Sequence, residues 1–173
     1  MSASVVPVGA AQTGTEPDLK AAFLFSFARF AVWPIESVPA GGPLTFCILG
    51  DSFVAQSLEK IALRKTIDGH ALVVTRVKRD GPLRACQILY AGRVDKDRAL
   101  ELLDAVDGAA VLTVSDLYTF TKIGGTAELY VEANRVHFSV NVDSAHKSRV
   151  RLSAQLLRLA KFVTSNDPNA VSR

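Results

Sequence analysis

Leu44-Thr45-Phe46-Cys47-Ile48-Leu49-Gly50-Asp51 is the stretch that decides the fold. The run is mostly apolar up to Leu49 and breaks off at Gly50-Asp51, where a helix-like pattern begins at once. A buried strand of an open α/β sheet reads this way where it hands over to a helix at its carboxyl end. Ligands of such sheets sit in the crevice outside the strand ends, which makes Gly50 and Asp51 candidate crevice residues. The strand also carries Cys47, one of two cysteines; the other, Cys86, lies in a second run of the same kind, Ala85-Cys86-Gln87-Ile88-Leu89-Tyr90.

Upstream of this strand, Leu19, Ala22, Phe23, Phe27 and Phe30 recur at spacings of three and four. They predict a helix over 18–33, with Asp18 as its N-cap after Pro17. Pro34 disfavours helical backbone at Trp33 and removes a donor, so the helix is expected to stop there. Downstream, Asp51-Ser52 caps a helix with Phe53, Val54, Leu58 and Ile61 on one side, and Asp68-Gly69 marks a turn into a β-branched strand over 71–77. A third strand over 87–91, a helix over 95–106 with Leu100, Leu103 and Val106 on one face, and a fourth strand over 109–114 repeat the alternation. Repeated strand-helix units argue for parallel order with right-handed crossovers. The pattern then breaks into a hairpin, 126–132 and 136–142 around Ala133-Asn134-Arg135, and a last helix is expected over 153–163.

The expectation is one α/β domain over 18–163, a three-layer sandwich with a mixed, largely parallel sheet and a C-terminal antiparallel hairpin. Residues 1–17 and 164–173 read as a flexible lead and tail. A chain of 173 residues suits one sizeable core. Its net charge of +3 is dispersed in mixed runs such as Arg93-Val94-Asp95-Lys96-Asp97-Arg98, which reads as a solvated face and not as a nucleic-acid site. No run reaches the about 20 apolar residues of a membrane helix. The first fifteen residues lack the basic and apolar regions of a signal peptide, and their small, polar character also fits a mature start exposed by removal of one.

Catalytic and cofactor signatures are missing from the pattern. The three histidines, His70, His137 and His146, have no acidic or histidine partner at ligand spacing, so no metal is expected. The turn after the first strand has a single glycine, too few for a phosphate-binding loop, and no cofactor is expected. Ser115-Asp116, at the end of the fourth strand, could join Gly50 and Asp51 in a crevice, or simply form a turn. Gly124-Gly125 could admit a close backbone approach or serve as a flexible turn. The cysteines leave two readings open: buried free thiols, or a bridge between neighbouring strands that would imply an oxidising compartment. Phe23, Phe27, Phe30 and Trp33 give the first helix more aromatic surface than one buried stripe needs, so they are candidates for core packing or for a homodimer contact.

The blocks Leu19-Lys20-Ala21-Ala22-Phe23-Leu24-Phe25-Ser26-Phe27-Ala28-Arg29-Phe30 with Trp33-Pro34, Phe46 to Asp51, Cys86 to Tyr90, Val111 to Asp116, Gly124-Gly125, Val136 to Asn141 and Leu152 to Ala160 succeed one another in the order of the YfiR-like family. The chain resembles that family from about residue 18 to 163. The resemblance implies a periplasmic regulator without catalytic activity, whose relatives hold an inner-membrane diguanylate cyclase inactive through its periplasmic domain and are themselves sequestered by an outer-membrane lipoprotein. It also implies a Cys47–Cys86 disulfide, and a signal peptide removed from this chain. Some relatives carry a second cysteine pair near the hairpin, which this sequence lacks. A different expectation from the same residues is a periplasmic small-molecule sensor using the crevice at Gly50, Asp51, Ser115 and Asp116. A deep pocket there would favour it.

Overall fold

A computed structural model describes residues 14–78 and 80–165. In chain order its elements are α1 (Glu16–Arg29), β1 (Ala31–Val32), β2 (Leu44–Leu49), α2 (Ser52–Ala62), β3 (Thr66–Ile67), β4 (His70–Arg76), β5 (Ile88–Ala91), α3 (Lys96–Ala105), β6 (Leu112–Ser115), β7 (Ala127–Glu132), β8 (Arg135–Asn141), α4 (Val142–Lys147), β9 (Arg151–Leu152), α5 (Ala154–Leu159) and β10 (Phe162–Thr164). Single 3₁₀ turns at Leu83–Ala85 and Phe120–Ile123 lead into β5 and β7.

The main sheet has the order β10-β8-β7-β6-β5-β2-β4-β3. Strands β4, β2, β5, β6 and β7 run parallel; β8 returns antiparallel to β7, β10 pairs parallel to β8, and β3 folds antiparallel onto β4. The fold is therefore the expected α/β mixed, largely parallel sheet with a C-terminal hairpin, flanked by helices. Both tight hairpins rest on left-handed backbone: Asp68 and Gly69 between β3 and β4, and Ala133 and Asn134 between β7 and β8, all have positive φ. Two-residue loops of that conformation match the twist of the strands they join.

Alternation along the strands sorts the core into two unequal faces. Phe46, Ile48, Ile88, Tyr90, Leu112, Val114, Leu129 and Phe138 face one way and pack on Leu24 and Phe27 of α1, Val54 and Leu58 of α2, and Leu156 of α5. On the other face Cys47, Leu49, Leu89 and Ala91 meet Leu102 of α3 and the following Val106. The second cluster is much smaller and does not extend to β7, β8 or β10.

Several elements differ from expectation, each for a local reason. Helix α1 is capped by Thr15, whose hydroxyl accepts from the Asp18 amide while the Asp18 carboxylate receives the Thr15 amide; Asp18 is the far member of a capping box and not the cap itself. The helix ends at Arg29, before Pro34 can act, because Ala31–Val32 pairs with Leu152–Arg151 as a small second sheet. In α3 the buried residues are Ala99 and Leu102, with Leu100 exposed, so the buried face is rotated from the one read off Leu100 and Leu103. The C-terminal helix is only α5, and Phe162–Thr164 leave it to join the sheet. The lead expected over 1–17 and the tail over 164–173 lie mostly outside the described residues; within them, Glu16 and Pro17 already belong to α1 and Thr164 to β10.

Candidate functional site at the strand ends

The chain carries β2, β5 and β6 side by side and in parallel, so their carboxyl ends open on one edge of the sheet. This is the edge where the sequence places Gly50, Asp51, Ser115 and Asp116 as crevice candidates, and the fold brings all four there. Each is committed to an internal partner. Asp51 is buried and caps α2, its Oδ1 accepting from the Val54 amide at 3.2 Å. Ser115 is fully buried; its hydroxyl donates to the Ala91 carbonyl at 2.7 Å and accepts from the Leu117 amide at 3.1 Å. Gly50 has φ +79°, and a Cβ there would stand 2.1 Å from the Gly92 carbonyl oxygen, so two turns meet backbone to backbone.

Asp116 is the centre of the arrangement. Its Oδ2 receives Lys20 Nζ at 3.1 Å and the Tyr90 hydroxyl at 3.3 Å, and its Oδ1 receives the Arg93 amide at 3.0 Å. Lys20 also pairs with Glu16 at 2.8 Å, one turn earlier on α1. The Lys20 side chain is only 8 % exposed and that of Asp116 19 %. Burial works against the charge on Lys20, but the hydrogen bonds it donates to the Glu16 and Asp116 carboxylates, with their charges, outweigh it and raise its pKa. Burial first, and then the Asp116 charge, drive the Tyr90 phenol far above its ordinary range, so it stays a neutral donor. An α1 lysine thus fills the edge where an α/β enzyme would hold its ligand. The arrangement has hydrogen-bond capacity, but the chain itself uses it.

Sequence reasoning missed Lys20 and Tyr90 in this cluster. The signal for Lys20 was present: it sits four residues before Leu24 in the buried stripe of α1, where an unpaired lysine would be costly. Nothing local could name Asp116 as its partner, 96 positions away.

On the far side of the same strands, Cys47 of β2 and Cys86, just ahead of β5, are joined in a disulfide with Cα atoms 5.9 Å apart. Their strands are direct neighbours. Beside the bridge, Gln87 is buried; its Oε1 accepts from the Thr45 amide at 2.7 Å, and Trp33 Nε1 donates to its carbonyl at 3.1 Å. The segment before β2, the strand itself and the approach to β5 are therefore tied at the end of the sheet opposite Asp116.

The aromatic candidates divide. Phe27 and Trp33 belong to the core, and Phe27 meets Phe138 edge-on with ring centres 5.0 Å apart. Phe23 and Phe30 are partly covered. The aromatic surplus of α1 is covered in part by cations: Lys65 lies over the Phe25 ring and Arg29 over Phe30. Gly125 answers to packing as well, since a Cβ there would enter the Phe120 ring at 2.2 Å. The histidines stand apart: His70 contacts the Gly42 carbonyl at 2.6 Å, His137 stacks on Tyr130, and His146 is exposed on α4.

Fold and site together define a disulfide-stapled α/β domain whose strand-end crevice is closed by its own side chains. Among the described residues no helix is long and apolar enough to cross a membrane. Residues 17–161 match the YfiR/HmsC-like family, and the chain belongs to it. That is a family of periplasmic regulators of signalling. Among solved structures the chain is similar to a conserved domain protein from Vibrio cholerae O1 biovar eltor, at a TM-score of 0.57 and 12 % identity over 86 % of this chain and 60 % of that one. It is also similar to an ABC domain from Streptococcus pneumonia solved with L-Trp, at a TM-score of 0.50 and 9 % identity over 75 % and 58 %. At these identities the likeness is one of fold, and the chain spans about 60 % of the length of either.

Proposed function

We propose that the protein is a non-catalytic periplasmic regulator that binds the periplasmic domain of an inner-membrane signalling enzyme, a diguanylate cyclase, and holds it inactive. Membership of the YfiR/HmsC-like family across residues 17–161 carries this reading. Two features of the molecule support it. The Cys47–Cys86 bridge suits an oxidising compartment. Lys20, Asp116 and Tyr90 occupy the strand-end crevice, which favours a protein partner over a ligand held at Gly50, Asp51, Ser115 and Asp116. An outer-membrane lipoprotein that sequesters the regulator completes the scheme, and a homodimer through the partly covered Phe23 and Phe30 of α1 is part of the same proposal. Deleting the gene tests it: cellular cyclic-di-GMP should rise while the membrane diguanylate cyclases of the same cell are expressed. An unchanged level under those conditions would point to another partner.

A further inference from the structure

The row of side chains that crosses the second face of the sheet changes character along its length. Register places Leu49, Ala91, Ser115, Glu128, Ser139 and Phe162 opposite one another on β2, β5, β6, β7, β8 and β10. Leu49 and Ala91 belong to the cluster under α3; Glu128, Ser139 and Phe162 lie beyond that cluster, where a cavity of about 380 Å³ opens instead. That volume is within the range of small-ligand sites.

Polar groups and aromatic rings converge on this cavity. Glu128 lines it at 6 % exposure; its Oε2 takes two hydrogen bonds from Thr121, amide and hydroxyl, each 3.3 Å long. Among the described residues no lysine, arginine or histidine forms an ion pair with it, although Lys122 lines the same cavity. A buried carboxylate without a cation is costly, and a cationic guest would remove that cost. Tyr130 lines the wall, and its buried hydroxyl has no hydrogen-bond partner among the described residues. Tyr118 and Phe162 stand at the cavity 78 % and 59 % exposed, which suits rings that close over a guest. The turn that presents Tyr118 holds Thr119 at φ +73°, a backbone a β-branched residue rarely adopts, while Phe162 comes from β10.

We infer that this cavity binds a small organic cation, an amine or quaternary ammonium with a compact apolar body, its charge directed at Glu128 and its body against Tyr118, Tyr130 and Phe162. The site is separate from the strand-end cluster at Asp116 and does not depend on the identity of the regulated partner.

Calorimetric titration of the full chain tests this with phenethylamine, its neutral isostere 2-phenylethanol, and 3-phenylpropionate. Phenethylamine should bind at least about tenfold more tightly than the alcohol, a difference of about 1.4 kcal/mol, and the acid more weakly than either. Glu128→Gln should erase the preference for the amine. Because Glu128 also holds Thr121, Tyr118→Ala at the exposed rim is the second variant; it should weaken the amine severalfold and leave the melting curve unchanged. Equal binding of amine and alcohol, tighter binding of the acid, or no binding of the amine up to about 10 mM would overturn the inference.

Discussion

Lys20 Nζ lies 3.1 Å from Asp116 Oδ2, joining the first helix to the carboxyl end of β6 across 96 positions of sequence. The contact closes the crevice of an α/β sheet from within. It also makes the crevice a structural joint, since Tyr90 and the Arg93 amide use the same carboxylate.

Asp116→Ala should therefore be strongly destabilising. It strands a buried ammonium with only Glu16 as partner and leaves the Tyr90 hydroxyl without its acceptor. Breaking a buried pair from one side costs about 3–5 kcal/mol. Because Glu16 remains and Asp116 is not fully buried, the lower end of that range is expected in denaturant unfolding. A loss well under 1 kcal/mol would mean the cluster is solvated.

The same cluster sets an alkaline limit. Lys20 and Tyr90 both have raised folded-state pKa values, so the folded chain keeps protons that the unfolded chain releases. Their stabilisation is whole below about pH 10, the ordinary value for both groups, and falls as the pH rises from there towards the folded-state values. Unfolding free energy measured from pH 8 to 11 should be level at first and then fall, and Asp116→Ala should reduce the slope of that fall. A wild-type stability that rises through this window would contradict the assignment.

Much of this architecture was legible in the chain, and the exceptions share a cause. The run ending at Gly50-Asp51, the hairpin at Ala133-Asn134 and the cap at Asp51 are local signals, and they mark the parallel strands, the return strand and their order of appearance. Phe162 and Val163 read as helix because the pairing of β10 with β8 is not written locally. Lys20 and Tyr90 escaped for the same reason. Their environment is made by Asp116, which only the folded sheet brings near, whereas the cysteines could be read once the family pattern placed their two strands together.

The disulfide has its own test. Cys47 and Cys86 are 39 positions apart, and in the chain-entropy picture closing a loop of that size stabilises the fold by about 4 kcal/mol. Reduction should lower the unfolding free energy by about that amount, and the unreduced protein should be two hydrogens lighter than the reduced. Two thiols that label freely in unfolded, unreduced protein would contradict the bridge.

Gly50→Ala addresses the contact between turns. With φ +79° and the Gly92 carbonyl in the way, the methyl group forces the two strand ends apart. A destabilisation on the order of 2 kcal/mol is expected from strain and lost contact. Gly41, also at positive φ but with open space around its Cβ position, is the control and should cost less.

Repression itself is measured most directly in membrane vesicles carrying a diguanylate cyclase with a periplasmic domain from the same organism, with the purified, oxidised chain added to the periplasmic face. Cyclic-di-GMP synthesis should fall in proportion to the chain bound. Full synthesis at saturating chain, with the cyclase active and its periplasmic domain accessible, would contradict repression by this protein.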